Sequence, residues 1–170
     1  MARDVYKEQI VKREPNLKNK LIKGGAIVFL ILLFFVLTPI AGQFTTIIIA
    51  ALGFGAYYLF GYLNVEYEYI FTNGELDIDC IYQKSRRKRQ FSGVVRDFDV
   101  MAHIEDKNHL SDFNSANETK DYSSGKVKDN TYAFLTTYKG KRLKVIIEPD
   151  EVMVQAFSTV ITPRKFFKKI

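Results

Sequence analysis

Two histidines and two neighbouring carboxylates are the residues that could hold a metal. His103 and His109 lie six positions apart, with Glu105 and Asp106 between them. Metal sites in proteins use spacings that bring several ligands to one point, such as i and i+4 on a helix. The spacing here matches no such pattern. We therefore expect two solvated or capping histidines and no metal site.

Nucleophilic catalysis and phosphate binding would need other motifs. The chain has a single cysteine, Cys80, and no Gly-x-Ser-x-Gly sequence. No glycine-rich phosphate loop follows a predicted strand, and no general base is placed beside a nucleophile by a known pattern. Cys80 is interpreted as a buried core residue, and its isolation is typical of a reducing compartment. The sequence therefore predicts a protein that is not an enzyme and has no cofactor.

Clusters of basic side chains are the remaining chemical signal. The net charge of +6 resides near the two termini, and the intervening domain is slightly acidic. Nucleic-acid binders are usually basic over the whole binding domain. We therefore expect no nucleic-acid partner. Lys and Arg near a bilayer attract anionic headgroups. The candidate headgroup contacts are Lys84, Arg86, Arg87, Lys88, Arg89, Lys139, Lys141, Arg142, Arg164, Lys165, Lys168 and Lys169.

An uncharged apolar segment dominates the first half of the chain. Between Lys23 and Glu66 there are 42 residues with no Asp, Glu, Lys, Arg or His. A single helix of that length would rise about 63 Å, roughly twice the hydrocarbon thickness of a bilayer. The segment therefore predicts a transmembrane hairpin over residues 22–63, with spans at about 22–41 and 44–63.

The distribution of Lys and Arg predicts the orientation of this hairpin. Residues 1–21 form a basic leader, and the turn between the spans carries no charge. Under the positive-inside rule both termini of this multi-pass membrane protein face the cytoplasm. In the second span, Ala51 and Gly55 are small enough to allow close helix packing.

Strict alternation replaces the apolar run after the second span. The segments VEYEYIFT and ELDIDCIY are predicted strands, joined by Asn73-Gly74 in a type I′ turn. A third strand is predicted within residues 92–102. The polar stretch that follows, at 104–130, is too long for a bare loop and is expected to contain one or two short strands. A second hairpin turns at Lys139-Gly140, and Tyr132, Phe134 and Thr136 should face Ile147, Val145 and Leu143. An amphipathic helix follows Pro149 and ends before the tail at 163–170.

The stretch EYEYIFTNGELDID followed by KSRRKR resembles small uncharacterised membrane proteins of clostridia-type Firmicutes that carry a pleckstrin-homology-like (PH-like) domain. The resemblance implies an α+β membrane protein. Its two-helix transmembrane hairpin would precede an antiparallel PH-like β-barrel or sandwich at 64–162, closed by the C-terminal α-helix. Such domains have seven strands, whereas the alternation indicates five.

Alternating strand directions would bring the basic clusters to the membrane side of this domain, with KSRRKR as a turn between strands. We therefore expect a domain that binds or rests on anionic lipid, or docks a partner protein, at the cytoplasmic face. The alternative is an accessory subunit of a membrane complex, or a homo-oligomer, that acts through the transmembrane hairpin. The positive-inside rule by itself also accounts for basic residues at these places, as determinants of topology.

Overall fold

The computed structural model describes residues 5–167, with the side chain of Leu110 left out of the description. The chain forms two compact units, which we describe separately. The β unit comprises Met1–Glu14, Glu66–Ile81 and Arg86–Ile170, and the helical unit comprises Pro15–Val65 and Tyr82–Ser85.

The helical unit contains two long helices, α1 (Leu17–Ala41) and α2 (Phe44–Tyr62). Both are long and apolar enough to cross a membrane. Gly42 has a positive φ of 50°, and its N–H donates to the carbonyl of Thr38, which ends α1 and allows the short connection. The two predicted spans therefore coincide with helices, and α1 begins five residues earlier than its predicted span.

The first sheet of the β unit has four strands in the order β1-β2-β3-β4. They are β1 (Tyr6–Lys12), β2 (Val65–Thr72), β3 (Glu75–Tyr82) and β4 (Arg86–Val94). β1 pairs antiparallel with β2, from Tyr6 opposite Thr72 to Lys12 opposite Glu66. The predicted leader at residues 1–21 therefore contains an edge strand of the sheet, and the β unit extends beyond the predicted domain bounds of 64–162.

The β2–β3 turn has the predicted geometry. Asn73 and Gly74 have φ values of 49° and 96°, and a type I′ turn requires positive φ at both positions. The same turn holds the start of the N-terminal strand, because the Asn73 side chain accepts a hydrogen bond from Val5 N and Asn73 N donates to Val5 O. This turn therefore orders a segment nearly 70 residues away in sequence.

The second sheet has five strands in the order β6-β8-β7-β5-β9. They are β5 (Val100–His103), β6 (Glu118–Asp121), β7 (Tyr132–Tyr138), β8 (Lys141–Ile147) and β9 (Phe166–Phe167). The predicted register of the second hairpin is confirmed, with Phe134 opposite Val145. The prediction of antiparallel pairing is incomplete, because β6 pairs parallel with β8 and β9 pairs parallel with β5. β9 also draws part of the predicted tail into the sheet.

The predicted third strand over 92–102 is wrong, because two strands of different sheets occupy this stretch. A one-turn 3-10 helix at Val95–Asp97 separates β4 from β5. It buries Val95 and Phe98 completely, and Val95 N donates to Gly74 O. Residues 86–89 of the basic run therefore lie in β4, and only Lys84 and Ser85 lie in the turn. The stretch 104–130 contains a second 3-10 turn (Lys107–His109), the short helix α3 (Leu110–Phe113) and one strand, β6.

The main core combines residues of both sheets with helix α4 (Glu151–Val160). The Asp150 carboxylate caps α4 by accepting from Met153 N at 2.7 Å. Phe157 is fully buried, with its ring edge-on to Phe71 at 5.4 Å. The described strands form two separate sheets and no closed barrel, which corrects the barrel alternative of the predicted fold.

Replacing Phe157 with alanine should lower the free energy of unfolding by about 3 to 5 kcal/mol, because the substitution leaves a cavity between α4 and the sheets. Val152 is the matched control on the same helix, since its side chain is 49% exposed. Denaturant unfolding of the full chain in detergent, followed by near-UV circular dichroism, measures both variants. Equal effects of Phe157→Ala and Val152→Ala would contradict this account of the core.

Candidate functional site

The turn between β3 and β4 belongs to the helical unit together with the C-terminal end of α2. Gln83 Nε2 donates to the carbonyl of Tyr58 at 2.8 Å. A Cβ at Gly61 would lie 2.7 Å from Gln83 Nε2, so a larger residue there would displace the Gln83 side chain. Gln83 and Lys84 both have positive φ, at 52° and 58°, which costs about 1 kcal/mol each for residues other than glycine. These contacts place Lys84 at the end of α2.

This end of α2 has the composition of a membrane interface. Tyr57 and Tyr58 are 77% and 55% exposed, and Tyr62 is 37% exposed in the last turn. Tyrosine is enriched at bilayer surfaces, because its ring is apolar and its hydroxyl is wet. Lys23 of α1 donates to the Asn64 side chain at 3.0 Å, which adds a cation to the same helical unit. Within the helical unit, the turn therefore belongs to the part of the chain that carries exposed tyrosines and Lys23.

Two of the predicted headgroup contacts on β4 are ion-paired within the first sheet. Arg87 Nη2 lies 3.1 Å from Glu68 Oε1. Arg89 bridges Asp77, at 2.6 Å, and Asp79. These two arginines neutralise acidic side chains of β2 and β3.

Arg86, Lys88 and Lys84 are exposed, and no ion pair involves them within the described part of the chain. The basic run thus divides into two arginines that belong to the fold and three cations that face solvent. The second group is the more available to an external anion, because the charges of Arg87 and Arg89 are already paired.

Two acidic residues, Glu68 and Glu8, interact beneath Arg87. Glu68 is fully buried, and this burial raises the pKa of its carboxyl, as does a hydrogen bond with Glu8. The pKa of Glu8 is lowered, first by the hydrogen bond that Tyr6 Oη donates at 2.6 Å and then by Glu68. β1 and Arg87 thus cover the face of the sheet that carries Glu68.

The other two basic clusters meet along one polar groove. Arg142 and Arg164 line it together, and Arg142 Nη2 lies 3.4 Å from Asp99 Oδ2. Lys139 lies over the Tyr138 ring and Lys141 is exposed, whereas Lys165 is half-buried. The predicted contacts Lys168 and Lys169 lie outside the described residues.

The two histidines have structural partners. His103 is 3% exposed, its Nε2 lies 3.1 Å from Lys128 O, and its Nδ1 accepts from Glu105 N. His109 Nδ1 bonds to Asp106 Oδ2 at 2.9 Å, and its ring stacks on Phe167 at 3.7 Å. Of the two alternatives, solvated or capping, the local hydrogen bonds of both rings fit the capping role. Across residues 5–167 no group of three possible metal ligands lies together.

Ala51 and Gly55 lie exposed on α2. A Cβ built at Gly55 would meet no atom within 4 Å. The small residues of the second span are therefore not used to pack α2 against α1 within this chain.

The Glu8–Glu68 pair predicts a pH dependence of stability. Because the folded-state pKa of Glu68 is raised, stability falls as pH rises from about 4.5 through that folded value. Glu8 acts in the opposite sense, since its stabilisation is lost only as pH falls through its lowered pKa. Glu68→Gln removes the first titration and keeps an amide donor for Glu8. We expect its melting temperature to decline less than that of the native chain between about pH 5 and pH 8.

Thermal unfolding of the full chain in detergent across this pH range measures the effect. Glu75→Gln is the control, since Glu75 is an exposed glutamate of β3. Parallel pH profiles for the native chain and Glu68→Gln would show that Glu68 is not the titrating group.

Comparison with known proteins adds the family to this geometry. Residues 3–168 match a family model described as a bacterial PH-like domain (DUF6106). No curated protein and no solved structure matches the chain. The matched residues include β1, both long helices and the strands of both sheets. The chain therefore belongs to the bacterial PH-like domain family DUF6106.

Proposed function

We propose that this membrane-associated PH-like protein holds its β unit on anionic lipid at the cytoplasmic face through Lys84, Arg86 and Lys88. The observation that carries the proposal is the packing of the β3–β4 turn on the tyrosine-rich end of α2. If α2 spans the bilayer, this end lies at headgroup level. The turn, with Lys84, then lies at the same depth as the phosphates.

The connections between the first sheet and the helices support this arrangement. The chain leaves the sheet toward α1 after Lys12 and returns from α2 just before Glu66, and these two residues are paired across β1 and β2. The β3–β4 turn lies at the same end of the sheet, because β3 returns antiparallel to β2. Both connections and the basic turn therefore share one end of the sheet.

The strength of the proposed contact follows from the cations that remain available. Each Lys or Arg near an anionic surface contributes about 1 kcal/mol, so three contribute about 3 kcal/mol at low salt. Arg87 and Arg89 add little, since their charges are neutralised by Glu68, Asp77 and Asp79. The interaction is screened within a Debye length of about 8 Å at physiological salt. An electrostatic contact of this strength can orient a domain that the transmembrane helices already hold at the membrane.

No catalytic role is part of this proposal, and neither is a metal or a cofactor. The chain acts as a bacterial multi-pass membrane protein with both termini in the cytoplasm, as the distribution of Lys and Arg indicates.

A second candidate function rests on α2 itself. Ala51 and Gly55 leave a smooth, exposed surface in the middle of a helix that has the composition of a membrane span. Such surfaces allow close helix approach in lipid. In this alternative the protein is an accessory subunit of a membrane complex, or a homo-oligomer, that assembles through the hairpin.

The lipid contact is tested on the full chain, because a fragment starting at residue 64 would lack β1. The chain is reconstituted in nanodiscs of zwitterionic lipid with or without anionic lipid, and amide hydrogen exchange is followed at residues 84–90. We expect anionic lipid to slow exchange there by about fivefold at low salt, and 0.5 M salt to abolish the effect. The variant Lys84→Gln/Arg86→Gln/Lys88→Gln should lose it.

The matched control is Lys7→Gln/Arg96→Gln/Lys107→Gln, which removes the same charge at three exposed positions outside the turn and β4. Protection that persists in the first variant, or that appears equally in nanodiscs without anionic lipid, would contradict the lipid contact.

The second candidate predicts that Ala51→Leu/Gly55→Leu separates a complex that forms through α2, since leucine side chains prevent close helix approach. Cysteine-independent crosslinking in membranes, followed by size analysis, should show loss of the crosslinked species. Leu52→Ile is the control on a neighbouring exposed position. An unchanged crosslinking pattern would count against assembly through this surface.

A further inference from the structure

Two adjoining grooves lie where β5, the 104–117 segment and the C-terminal β9 meet. The smaller, of about 480 Å³, is polar and contains Arg142, Arg164 and Asp112. The larger, of about 650 Å³, runs beside the end of α4 and has mostly apolar walls. Both volumes fall within the range of small-molecule sites. The grooves share the stacked rings of His109 and Phe167, which form the wall between them.

The charges in the polar groove are balanced and only partly used. Arg142 is paired with Asp99 at 3.4 Å. Arg164 and Asp112 are exposed, and neither has an ion-pair partner among residues 5–167 as the structure describes them. One cation and one anion are therefore left to face a ligand. A simple anion would meet the Asp112 carboxylate and a simple cation would meet Arg164, whereas a zwitterion satisfies both.

The apolar groove defines the other part of the ligand. Ile161, Pro163 and Phe166 provide its hydrocarbon surface. Its one carboxylate, Asp106, is already satisfied, because it accepts from Asn108 N and bonds His109. The lowered pKa of Asp106 has these two contacts as its first causes. An apolar chain therefore fits this groove without a polar partner, directly beside the polar groove that takes the zwitterion.

We propose that the two grooves bind one phospholipid with a primary-amine zwitterionic headgroup, that is, an ethanolamine phospholipid. The phosphate lies against Arg164, the ammonium donates to Asp112, and one acyl chain lies along Ile161, Pro163 and Phe166. A primary ammonium is favoured over a quaternary one, because only the former donates hydrogen bonds to a carboxylate. This site is separate from the β3–β4 turn and does not depend on the lipid contact proposed there.

The test uses the full chain in nonionic detergent and short-chain lipids, with binding measured by isothermal titration calorimetry. We expect dihexanoyl phosphatidylethanolamine to bind about tenfold more tightly than dihexanoyl phosphatidylglycerol. Glycerophosphoethanolamine, which has the headgroup and no acyl chains, should also bind at least tenfold more weakly. Equal affinity for the two lipids would overturn the headgroup assignment, and equal affinity with and without acyl chains would overturn the apolar half.

Two charge variants separate this site from general uptake of lipid into micelles. Arg164→Gln should weaken the binding of both lipids, since both carry a phosphate. Asp112→Asn should remove the preference for the ethanolamine headgroup and leave phosphatidylglycerol bound at least as tightly as before. Arg96→Gln and Asp97→Asn are the matched controls, because both positions are exposed and outside the grooves. A preference that survives Asp112→Asn would overturn the proposal.

The variant Lys84→Gln/Arg86→Gln/Lys88→Gln distinguishes this inference from the proposed function. It should bind dihexanoyl phosphatidylethanolamine with native affinity, even though its contact with anionic bilayers is lost. Loss of ethanolamine-lipid binding in this variant would overturn a separate site in the grooves.

Discussion

The buried carboxylate of Glu148 is the constraint on which the β unit depends. Glu148 is 2% exposed, and its Oε1 accepts from both Ser124 N and Ser124 Oγ, while its Oε2 pairs with Lys128 at 3.0 Å. Its main chain adds two bonds, since its N–H donates to Tyr69 Oη and its carbonyl accepts from Gln9 Nε2. A buried charge is stable only when it is fully paired. β1, β2, β8 and the 122–131 segment must therefore be in place together.

This requirement extends to the residues that lead into α1. Arg13 pairs with Asp121 at 2.8 Å and donates to Ser123 O, and Glu14 N donates to Ser124 O. The last residues before the first helix are thus held by the same segment that supplies Ser124 to Glu148. The N-terminal strand is consequently part of the folded β unit and not a leader attached to it. Any displacement of the chain at Glu14 has to break contacts with the segment that supplies Ser124 to the buried network.

The sequence predicts those elements whose burial is periodic and fails where burial depends on distant contacts. The sequences of β2, β3 and β8 alternate because one face of each contributes to the main core. β7 is buried on both faces, toward the main core and toward the second cluster. β1 gives no such signal, since Val11 is buried while its neighbour Ile10 is 55% exposed, and its partners lie more than 50 residues away. Alternation places three residues on one face of a single strand, namely Phe98, Val100 and Ala102. In the structure Phe98 belongs to the main core, whereas Val100 and Ala102 belong to the second cluster, on the other side of the second sheet. Alternation cannot reveal that the chain changes sheets between them.

The basic run was predictable as a cluster of charge but not as a strand, and its position in the sheet explains its composition. β4 is an edge of the first sheet, and edge strands rich in Lys and Arg resist pairing with other chains. Successive side chains of a strand alternate between faces, so Arg87 and Arg89 share the face that carries Glu68 and Asp79, while Arg86 and Lys88 point elsewhere. One face of β4 can therefore neutralise Glu68 and Asp79, while its other residues present unpaired cations to solvent. A turn has no such alternation, and so it would not place Arg87 and Arg89 on one face and Arg86 and Lys88 on the other.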